Sequence, residues 1–215
     1  MNIERRTLEL EPVEVRSEGD SLVAVGYAYR FNRLSQNLGG FVEQIAPGAG
    51  KKSSQESDIR ALFNHDPNQV LGRNRAGTLT FEEDDEGGRY EIQLPDTSVG
   101  RDLAVNLEAG NVDGSSFGFR LIEDEWDETE QGFPLRTLRQ FSIRDVGPVT
   151  FPAYTDADSA LRSLAEGRSL DLGDLIAAAK DNSLADMIGK QSTDEDRAAG
   201  PSETHPPRRR FQHLL

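Results

Sequence analysis

The sequence predicts a mainly β fold with inserted helices, in which an antiparallel sheet closes into a barrel. From Leu22 to Phe31, apolar side chains recur at every second position, as in a strand with one buried face. Further short apolar runs follow at close spacing, and most are bounded by Gly, Asp or Asn, which are typical of hairpin loops. We therefore expect hairpin-connected strands rather than a βαβ array.

The remaining predicted strands are all short. They lie at Ile59 to Phe63, Thr78 to Phe81, Tyr90 to Leu94, Phe117 to Leu121 and Leu138 to Ile143. Asp84 to Gly88 predicts a hairpin loop between two of them.

One helix is predicted among these strands. Val99, Leu103 and Leu107 recur at helical spacing, Thr97 and Ser98 precede them as candidate caps, and Gly110 lies where such a helix would end. This helix leads into the segment Gly114 to Phe119.

The chain divides into three predicted parts: a folded domain over residues 1–160, an amphipathic helical segment over 161–190 and a disordered tail over 191–215. Apolar residues from Leu172 to Ile188 predict one or two helical turns, interrupted near Asn182 and Ser183. The tail holds almost nothing to bury before Phe211, so ordering it would cost more entropy than its contacts return.

Composition excludes several classes of protein. A formal charge of -14 repels phosphate backbones and anionic headgroups, so neither nucleic acid nor membrane is expected as a partner. Because the chain has no cysteine, disulfides, thiolate metal sites and a Cys nucleophile are excluded, and we expect no cofactor or metal. Residues 1–10 lack the apolar core of a signal peptide, and no apolar run approaches the roughly 18 residues of a membrane span.

His65 is the one histidine outside the predicted tail, and it follows a predicted strand directly. A strand end is a place where a general base meets solvent and substrate. From position alone, a surface histidine without function is the more common case.

Ser115 and Ser116 lie between Gly114 and Gly118, which leave room for another backbone, such as a substrate chain, to approach. Either hydroxyl could be a nucleophile, but the segment lacks the strand-turn-helix context of a hydrolase elbow. The alternative is a β-strand without catalytic function, in which glycine and serine take the place of larger residues.

Phe141, Ile143 and Asp145 lie at alternate positions of a predicted strand. We therefore expect the Asp145 carboxylate on the same face of the strand as these two apolar side chains. A buried carboxylate needs a partner, and an imidazole N–H would satisfy it while fixing the tautomer. The alternative is a partly exposed Asp that begins a turn before Gly147.

Five motifs in order resemble the prohead serine protease family of tailed phages, which is similar in turn to herpesvirus assemblins. They are Phe41 to Ala49, Asn64-His65-Asp66, Val70-Leu71-Gly72, the Gly-x-Ser-Phe-Gly-Phe of Gly114 to Phe119, and Asp145 to Tyr154. The likeness covers about residues 10 to 160.

The resemblance implies a catalytic domain over residues 1–160, an assemblin-like antiparallel β-barrel surrounded by helices. It makes Ser116 the nucleophile, His65 the base and Asp145 the acidic member, although the family often has Glu there and assemblins a second His. Ser115 is a rival for the nucleophile, because its parity matches that of Phe117.

The resemblance also implies a serine endopeptidase that acts on the major capsid protein and scaffold segments. It would work as a homodimer or bound to the prohead, inside the assembling shell in the host cytoplasm. We further expect cleavage in the tail beyond Gly189, since an accessible, unordered segment is the preferred site of proteolysis.

Two other functions stay open on the sequence alone. A non-catalytic capsid-assembly or scaffold-binding β module would use the C-terminal helices to dock on coat protein. A hydrolase based on carboxylates would use Glu82, Glu83, Asp84 and Asp85, although acidic runs beside glycines are usually solvated turns.

Overall fold

The computed structural model describes residues 3–8, 13–19, 21–151 and 157–188, which form two β-sheets and several helices. The first sheet has six strands: β1 (Glu4–Leu8), β4 (Val42–Ile45), β5 (Arg60–Leu62), β6 (Val70–Arg73), β9 (Gly114–Glu128) and β10 (Pro134–Val149). The second has four strands: β2 (Glu14–Glu18), β3 (Ser21–Arg30), β7 (Leu79–Glu83) and β8 (Gly87–Gln93). The mainly β character with inserted helices is confirmed.

The predicted closure of one antiparallel sheet into a barrel is wrong. Among the described residues no strand pairing joins the two sheets, whose orders are β1-β9-β10-β5-β6, with β4 also on β10, and β2-β3-β8-β7. β4 and β5 both pair in parallel with β10, which is 16 residues long and accommodates one near each end. The short loops suggested hairpins. Instead, this long strand pairs with segments that are distant in the sequence, so the first sheet is mixed and open.

The longer α-helices of the described residues are α1 (Lys51–Glu56), α2 (Ser98–Glu108), α3 (Ala157–Arg168) and α4 (Leu172–Lys180), and a short 3-10 helix spans Asn74–Ala76. The predicted helix is α2, and the side chain of Thr97 caps it by accepting a hydrogen bond from the backbone N–H of Gly100 at 3.3 Å. Gly110 follows its end at φ 71°, a left-handed conformation that glycine adopts without strain. None of the helices in the described part of the chain is long and apolar enough to cross a membrane.

All six predicted strand segments overlap observed strands. The four that were not predicted are β1, β2, β4 and β6, and α1 was also missed; most of α3 falls in the helical segment predicted from residue 161. Near the C-terminus, α4 and a short helical turn over 184–188 are separated at residues 181–183, as the sequence indicates.

The main core lies between the two sheets and is rich in aromatic rings. Tyr29 of β3 packs against Phe117 of β9 with ring centroids 5.0 Å apart, and Phe117 stacks on Phe119 at the same distance. Phe141 of β10 meets Tyr29 edge-on at 5.3 Å. These contacts fix the inner face of β9, and its opposite face carries the candidate active site.

A second core joins α3 and α4 to the body of the protein. Leu161, Leu164 and Leu175 pack there with Leu38 and Phe41, which precede β4. The predicted boundary at residue 160 lies inside α3, and the division into three parts stays a prediction. The tail over 191–215 lies outside the described residues.

Candidate active site

Adjacent serines on β9 point to opposite faces of the first sheet. Ser115 shares the inner face with Phe117, and its Oγ lies 2.9 Å from the hydroxyl of Tyr90. Burial raises the pKa of Tyr90, so this phenol stays protonated and forms a neutral hydrogen bond. Ser116 therefore faces the other side, although it too is almost fully buried, with 1% exposure.

His65 lies in a tight loop that follows β5. Asn64 and His65 both adopt left-handed backbone conformations, with φ of 54° and 56°. The Asn64 side chain holds the loop to the end of β10: its Oδ1 accepts from the backbone N–H of Thr150 at 2.8 Å, and its Nδ2 donates to Thr150 Oγ1 at 3.1 Å. Asn tolerates the left-handed region better than most residues, which suits it to this position.

Asp66 completes the loop. Its Oδ1 accepts from the backbone N–H of Asn68 at 2.8 Å, and its backbone carbonyl accepts from Gln69 at 2.9 Å. The hydrogen bond from Asn68 lowers the pKa of the Asp66 carboxyl, which keeps it ionised as an acceptor. In the Asn-His-Asp motif the two flanking residues thus fix the backbone that presents the imidazole.

Asp145 lies on the face opposite to Ile143, and the prediction that they share a face is wrong. Ile143 pairs with Phe119, whereas Asp145 pairs with Gly118, so the register shifts at Arg144. A β-bulge of this kind adds one residue to a strand and reverses the alternation beyond it. The bulge moves the carboxylate to the side of the sheet that carries Ser116.

Gly118 makes room for that carboxylate. A Cβ at this position would lie 2.6 Å from Asp145 Oδ1, closer than real contacts of this type. Because glycine has no side chain, the Asp145 carboxylate crosses directly over β9 to reach the imidazole.

The three side chains form one hydrogen-bonded series. His65 Nε2 lies 2.7 Å from Ser116 Oγ, and His65 Nδ1 is in close contact with Asp145 Oδ2. If Nδ1 carries the proton and donates it to the carboxylate, Nε2 is left as an acceptor directed at the serine hydroxyl. This is the arrangement in which an imidazole can take a proton from an alcohol.

Two further groups contact Ser116, and sequence patterns did not identify either of them. The Ser116 hydroxyl donates to the backbone carbonyl of Arg6 at 2.8 Å, and Thr7 Oγ1 donates to Ser116 Oγ at 3.2 Å. Both groups belong to β1, which pairs with β9 so that Thr7 lies opposite Ser116. The alternation of charged and apolar residues near the N-terminus was the one signal of this strand.

A buried ionic network anchors β1. Arg6 donates to Glu43 at 2.7 and 3.0 Å and to Glu4 at 2.7 Å, and Arg136 donates to Glu4 and Glu43 at 2.9 and 3.0 Å. Burial alone would raise the pKa of Glu4, but Arg136 and Arg6 outweigh that effect and lower it to about 2. Arg136 also donates to Asp124 at 2.8 Å. Charged side chains from β1, β4, β9 and β10 therefore form one network of ion pairs.

Two of the four acidic residues of the rival hydrolase, Glu83 and Asp84, have structural partners. Glu83 Oε1 accepts from the hydroxyl of Tyr29 at 2.9 Å and from the backbone N–H of Gly50 at 2.7 Å. Asp84 accepts from the hydroxyl of Tyr27 and caps its own turn. These carboxylates hold the hairpin loop after β7, so the geometry gives this alternative no support.

Other candidate groups are more loosely placed. Attack on a carbonyl also needs hydrogen-bond donors for the developing oxyanion, and the sequence suggests Arg144 or the backbone N–H groups of Gly114 to Ser116. Arg144 is exposed at the bulge. The backbone from Gly114 to Ser116 pairs with Gly147 to Val149 of β10. The oxyanion donors therefore stay a prediction. In the described ranges no group of three or more His, Cys, Asp or Glu residues is placed to hold a metal ion.

Comparison with known proteins places the chain among phage proteins. Residues 7–169 match the model of the family described as Caudovirus prohead serine protease. The prohead protease of Enterobacteria phage HK97 is 28% identical over 168 residues, which cover 75% of this chain and 70% of that protein. The solved structure of the bacteriophage T4 capsid assembly protease is 15% identical, with a TM-score of 0.47 over 70% of this chain and 98% of that one. Since the family model spans well over half of the sequence, the chain belongs to the Caudovirus prohead serine protease family.

Proposed function

We propose that this protein is a serine endopeptidase that cleaves capsid and scaffold polypeptides during prohead maturation. Ser116 is the nucleophile, His65 the general base and Asp145 the group that orients the imidazole. The observation that carries the proposal is the 2.7 Å contact between His65 Nε2 and Ser116 Oγ in a member of a serine protease family.

The proposed reaction has two steps. His65 takes the Ser116 proton as Oγ attacks a peptide carbonyl carbon, and the resulting imidazolium protonates the departing amine to leave an acyl-enzyme. Water, deprotonated by the same imidazole, then attacks the ester carbonyl, and the imidazolium returns the proton to Ser116 Oγ as the acyl group leaves as a carboxylic acid. Asp145 stabilises the imidazolium in both steps without itself being protonated.

The family description supports the choice of substrate and place. A prohead is an immature capsid, so the polypeptides available to such an enzyme are the major capsid protein and the scaffold segments inside the shell. We propose that the protein acts there, in the host cytoplasm, as a homodimer or bound to the prohead.

Coexpression with the coat protein of the same phage tests the proposal. We expect the wild-type chain and Ser115→Ala to convert the coat protein to a shorter product, because the Ser115 hydroxyl contacts Tyr90 rather than the imidazole. Ser116→Ala should yield no product, as read by gel electrophoresis and intact mass. Equal processing by wild type and Ser116→Ala would contradict the proposal.

One observation favours a second candidate, a non-catalytic capsid-assembly or scaffold-binding module. Ser116 is only 1% exposed, so a substrate carbonyl cannot reach its hydroxyl in this conformation. A pure binding module would support assembly equally well with Ser116→Ala, and the coexpression experiment separates the two functions.

A further inference from the structure

Three arginine side chains without an ionic partner lie on the face of the first sheet that carries Ser116. They are Arg5 of β1, Arg120 of β9 and Arg144 of β10. Within the described residues, none of their guanidinium groups forms a hydrogen bond or an ion pair with another side chain. Every other arginine in the described strands is paired with a carboxylate. These three cations therefore stand apart from the ion pairs that hold the sheets.

The strand register places Arg5 and Arg144 around Gly118, over which the Asp145 carboxylate crosses. Arg5 is directly opposite Gly118 on one side of β9, and Asp145 is opposite it on the other side. Residues that are directly opposite one another in a sheet direct their side chains to the same face. Arg144 is the extra residue of the bulge beside Asp145, and its side chain is exposed.

Arg120 completes the group from β9. It follows Gly118 by two positions and therefore lies on the same face, whereas Phe119 and Leu121 pack in the core. Its side chain is partly exposed, but its Nε is buried without a hydrogen-bond partner among the described residues. A buried donor of this kind is rare and costs about 1–3 kcal/mol when it is left unsatisfied. A ligand that accepts from the Arg120 guanidinium would remove that cost.

A carboxylate is the group of a polypeptide that suits a guanidinium best, because two parallel N–H···O bonds match its planar fork. The protein's own carboxylates on this part of the sheet are already engaged: Asp145 contacts His65, and Asp58 binds Arg60 and Arg73. The three arginines thus form a positive surface on a chain whose formal charge is -14. An acidic side chain of another molecule is attracted here and repelled by most of the remaining surface.

We infer that Arg120 and Arg144, together with Arg5, form a recognition surface for aspartate or glutamate side chains of the substrate. The inference rests on the proposed function and adds the chemistry by which the substrate is selected. Arg120 is four positions from Ser116 along β9, which is about 13 Å at the rise of a strand. An extended substrate covers this distance in about four residues, so we expect its acidic residue within about four positions of the scissile bond.

Binding of a fluorescent hexaglutamate peptide tests the inference directly. The full-length Ser116→Ala protein serves as the parent, so that the probe is not cleaved, and the affinity is read by fluorescence anisotropy. We expect Arg120→Gln and Arg144→Gln, each introduced into this parent, to weaken binding by about three- to tenfold, because each removes one guanidinium–carboxylate contact. Binding should also weaken as the salt concentration rises, since salt screens such contacts.

Arg75→Gln is the matched control. Arg75 is exposed, and its side chain also lacks an ionic partner within the described residues. It lies in the turn that joins β6 of the first sheet to β7 of the second. The variant makes the same change in net charge and should bind hexaglutamate as tightly as the parent. Hexaglutamine, which has no carboxylates, should bind at least about tenfold more weakly than hexaglutamate.

A second measurement links the surface to cleavage. The site at which the coexpressed coat protein is cut follows from the intact mass of the product, and we expect aspartate or glutamate within about four positions of it. For a peptide that contains this site, Arg144→Gln in the otherwise wild-type chain should raise KM by about three- to tenfold with little change in kcat, because it removes binding that the ground state and the transition state share. Arg144 is exposed, so this variant decides the matter if Arg120→Gln fails to fold.

The outcomes separate this inference from the proposed function. Equal binding of hexaglutamate to the parent and to both glutamine variants overturns the inference and leaves the peptidase intact, and so does a cleavage site without acidic neighbours. Tighter binding of a thymidine oligonucleotide of the same charge would assign the surface to nucleic acid and overturn the inference as well. If hexaglutamate binds as expected but the wild-type chain cleaves nothing, the peptidase proposal fails and the surface is that of a module that binds acidic peptides.

Discussion

Replacing Gly118 by alanine tests whether the Asp145 carboxylate must reach His65. An added Cβ would lie 2.6 Å from Asp145 Oδ1, and Cβ contacts under 3.0 Å essentially never occur. The carboxylate must therefore withdraw by about 0.4 Å or more, and its other oxygen is the one in contact with His65 Nδ1. The backbone of β9 itself accepts alanine, because residue 118 lies in a regular strand.

We expect the cleavage rate to fall by about tenfold to a hundredfold, because the required displacement is about 0.4 Å or more. A displacement of about 1 Å at a catalytic group costs on the order of 10²-fold, and complete loss of the orienting carboxylate about 10⁴-fold in a Ser-His-Asp enzyme. The assay is the rate of coat-protein cleavage, with the thermal unfolding midpoint measured in parallel to show that the fold is retained. Gly173→Ala is the control, since it adds the same methyl group at an exposed position of α4, where the new Cβ would lie 3.0 Å from Asp171 Oδ1, and it should not affect cleavage.

A particular result would refute this reasoning. If Gly118→Ala cleaves at the wild-type rate while Ser116→Ala is inactive, the approach of Asp145 to the imidazole does not limit the reaction. The carboxylate would then serve the fold of β10 rather than the chemistry.

Three other predictions concern stability. Ser115→Ala should leave cleavage intact but lower the free energy of unfolding by about 1–3 kcal/mol in denaturant titration, because the buried Tyr90 hydroxyl loses its partner; a loss of cleavage would mean that Ser115 takes part in the reaction. Arg136→Met should lower that free energy by about 3–5 kcal/mol, since it leaves buried carboxylates unpaired; a midpoint equal to wild type would contradict the network. Glu4 has a pKa of about 2 in the folded protein against 4.5 ordinarily, so its stabilising effect is present above about pH 4.5 and is lost as the pH falls toward 2. Glu4→Gln should flatten the acid limb of a stability-against-pH curve, and an unchanged limb would show that other groups dominate.

Alternation of apolar residues predicts the strands that bury an apolar face. β3 and the core segments of β9 and β10 are of this kind. β1 and β4 were missed because their buried side chains are charged: Glu4, Arg6 and Glu43 are 3–9% exposed and are paired with one another. A pattern based on hydropathy alone cannot distinguish such a strand from a solvated segment.

The topology was not accessible from local spacing. Hairpin-like loops favour antiparallel neighbours, but β4 and β5 reach β10 in parallel across 93 and 85 residues at the pairs Arg136–Glu43 and Asp145–Arg60. Those pairings depend on the length of β10, which appears in the sequence only as a short apolar run. The barrel prediction was wrong for this reason.

The residues of the candidate site were predictable as a set of motifs, but their geometry was not. Strict alternation along the strand placed Asp145 on the same face as Ile143, and the bulge at Arg144 moves Asp145 to the opposite face. Parity also kept Ser115 as a rival, and in the structure it is Ser116 that contacts the imidazole. A bulge has no reliable signature in a single sequence. The face of the sheet on which a residue beyond the bulge lies therefore cannot be predicted from the alternation of residues along the strand.

The parallel pairing of β5 with β10 also determines when the candidate active site can form during folding. His65 and Asp145 are 80 residues apart, and the strand that carries Asp145 closes the described β structure. Contacts of such long range form late, after the entropy of closing a large loop has been overcome. A chain still emerging from the ribosome has its histidine and serine but lacks the strand that brings them together. The proposed catalytic set is thus incomplete until the segment that forms β10 has been translated and has paired with β5.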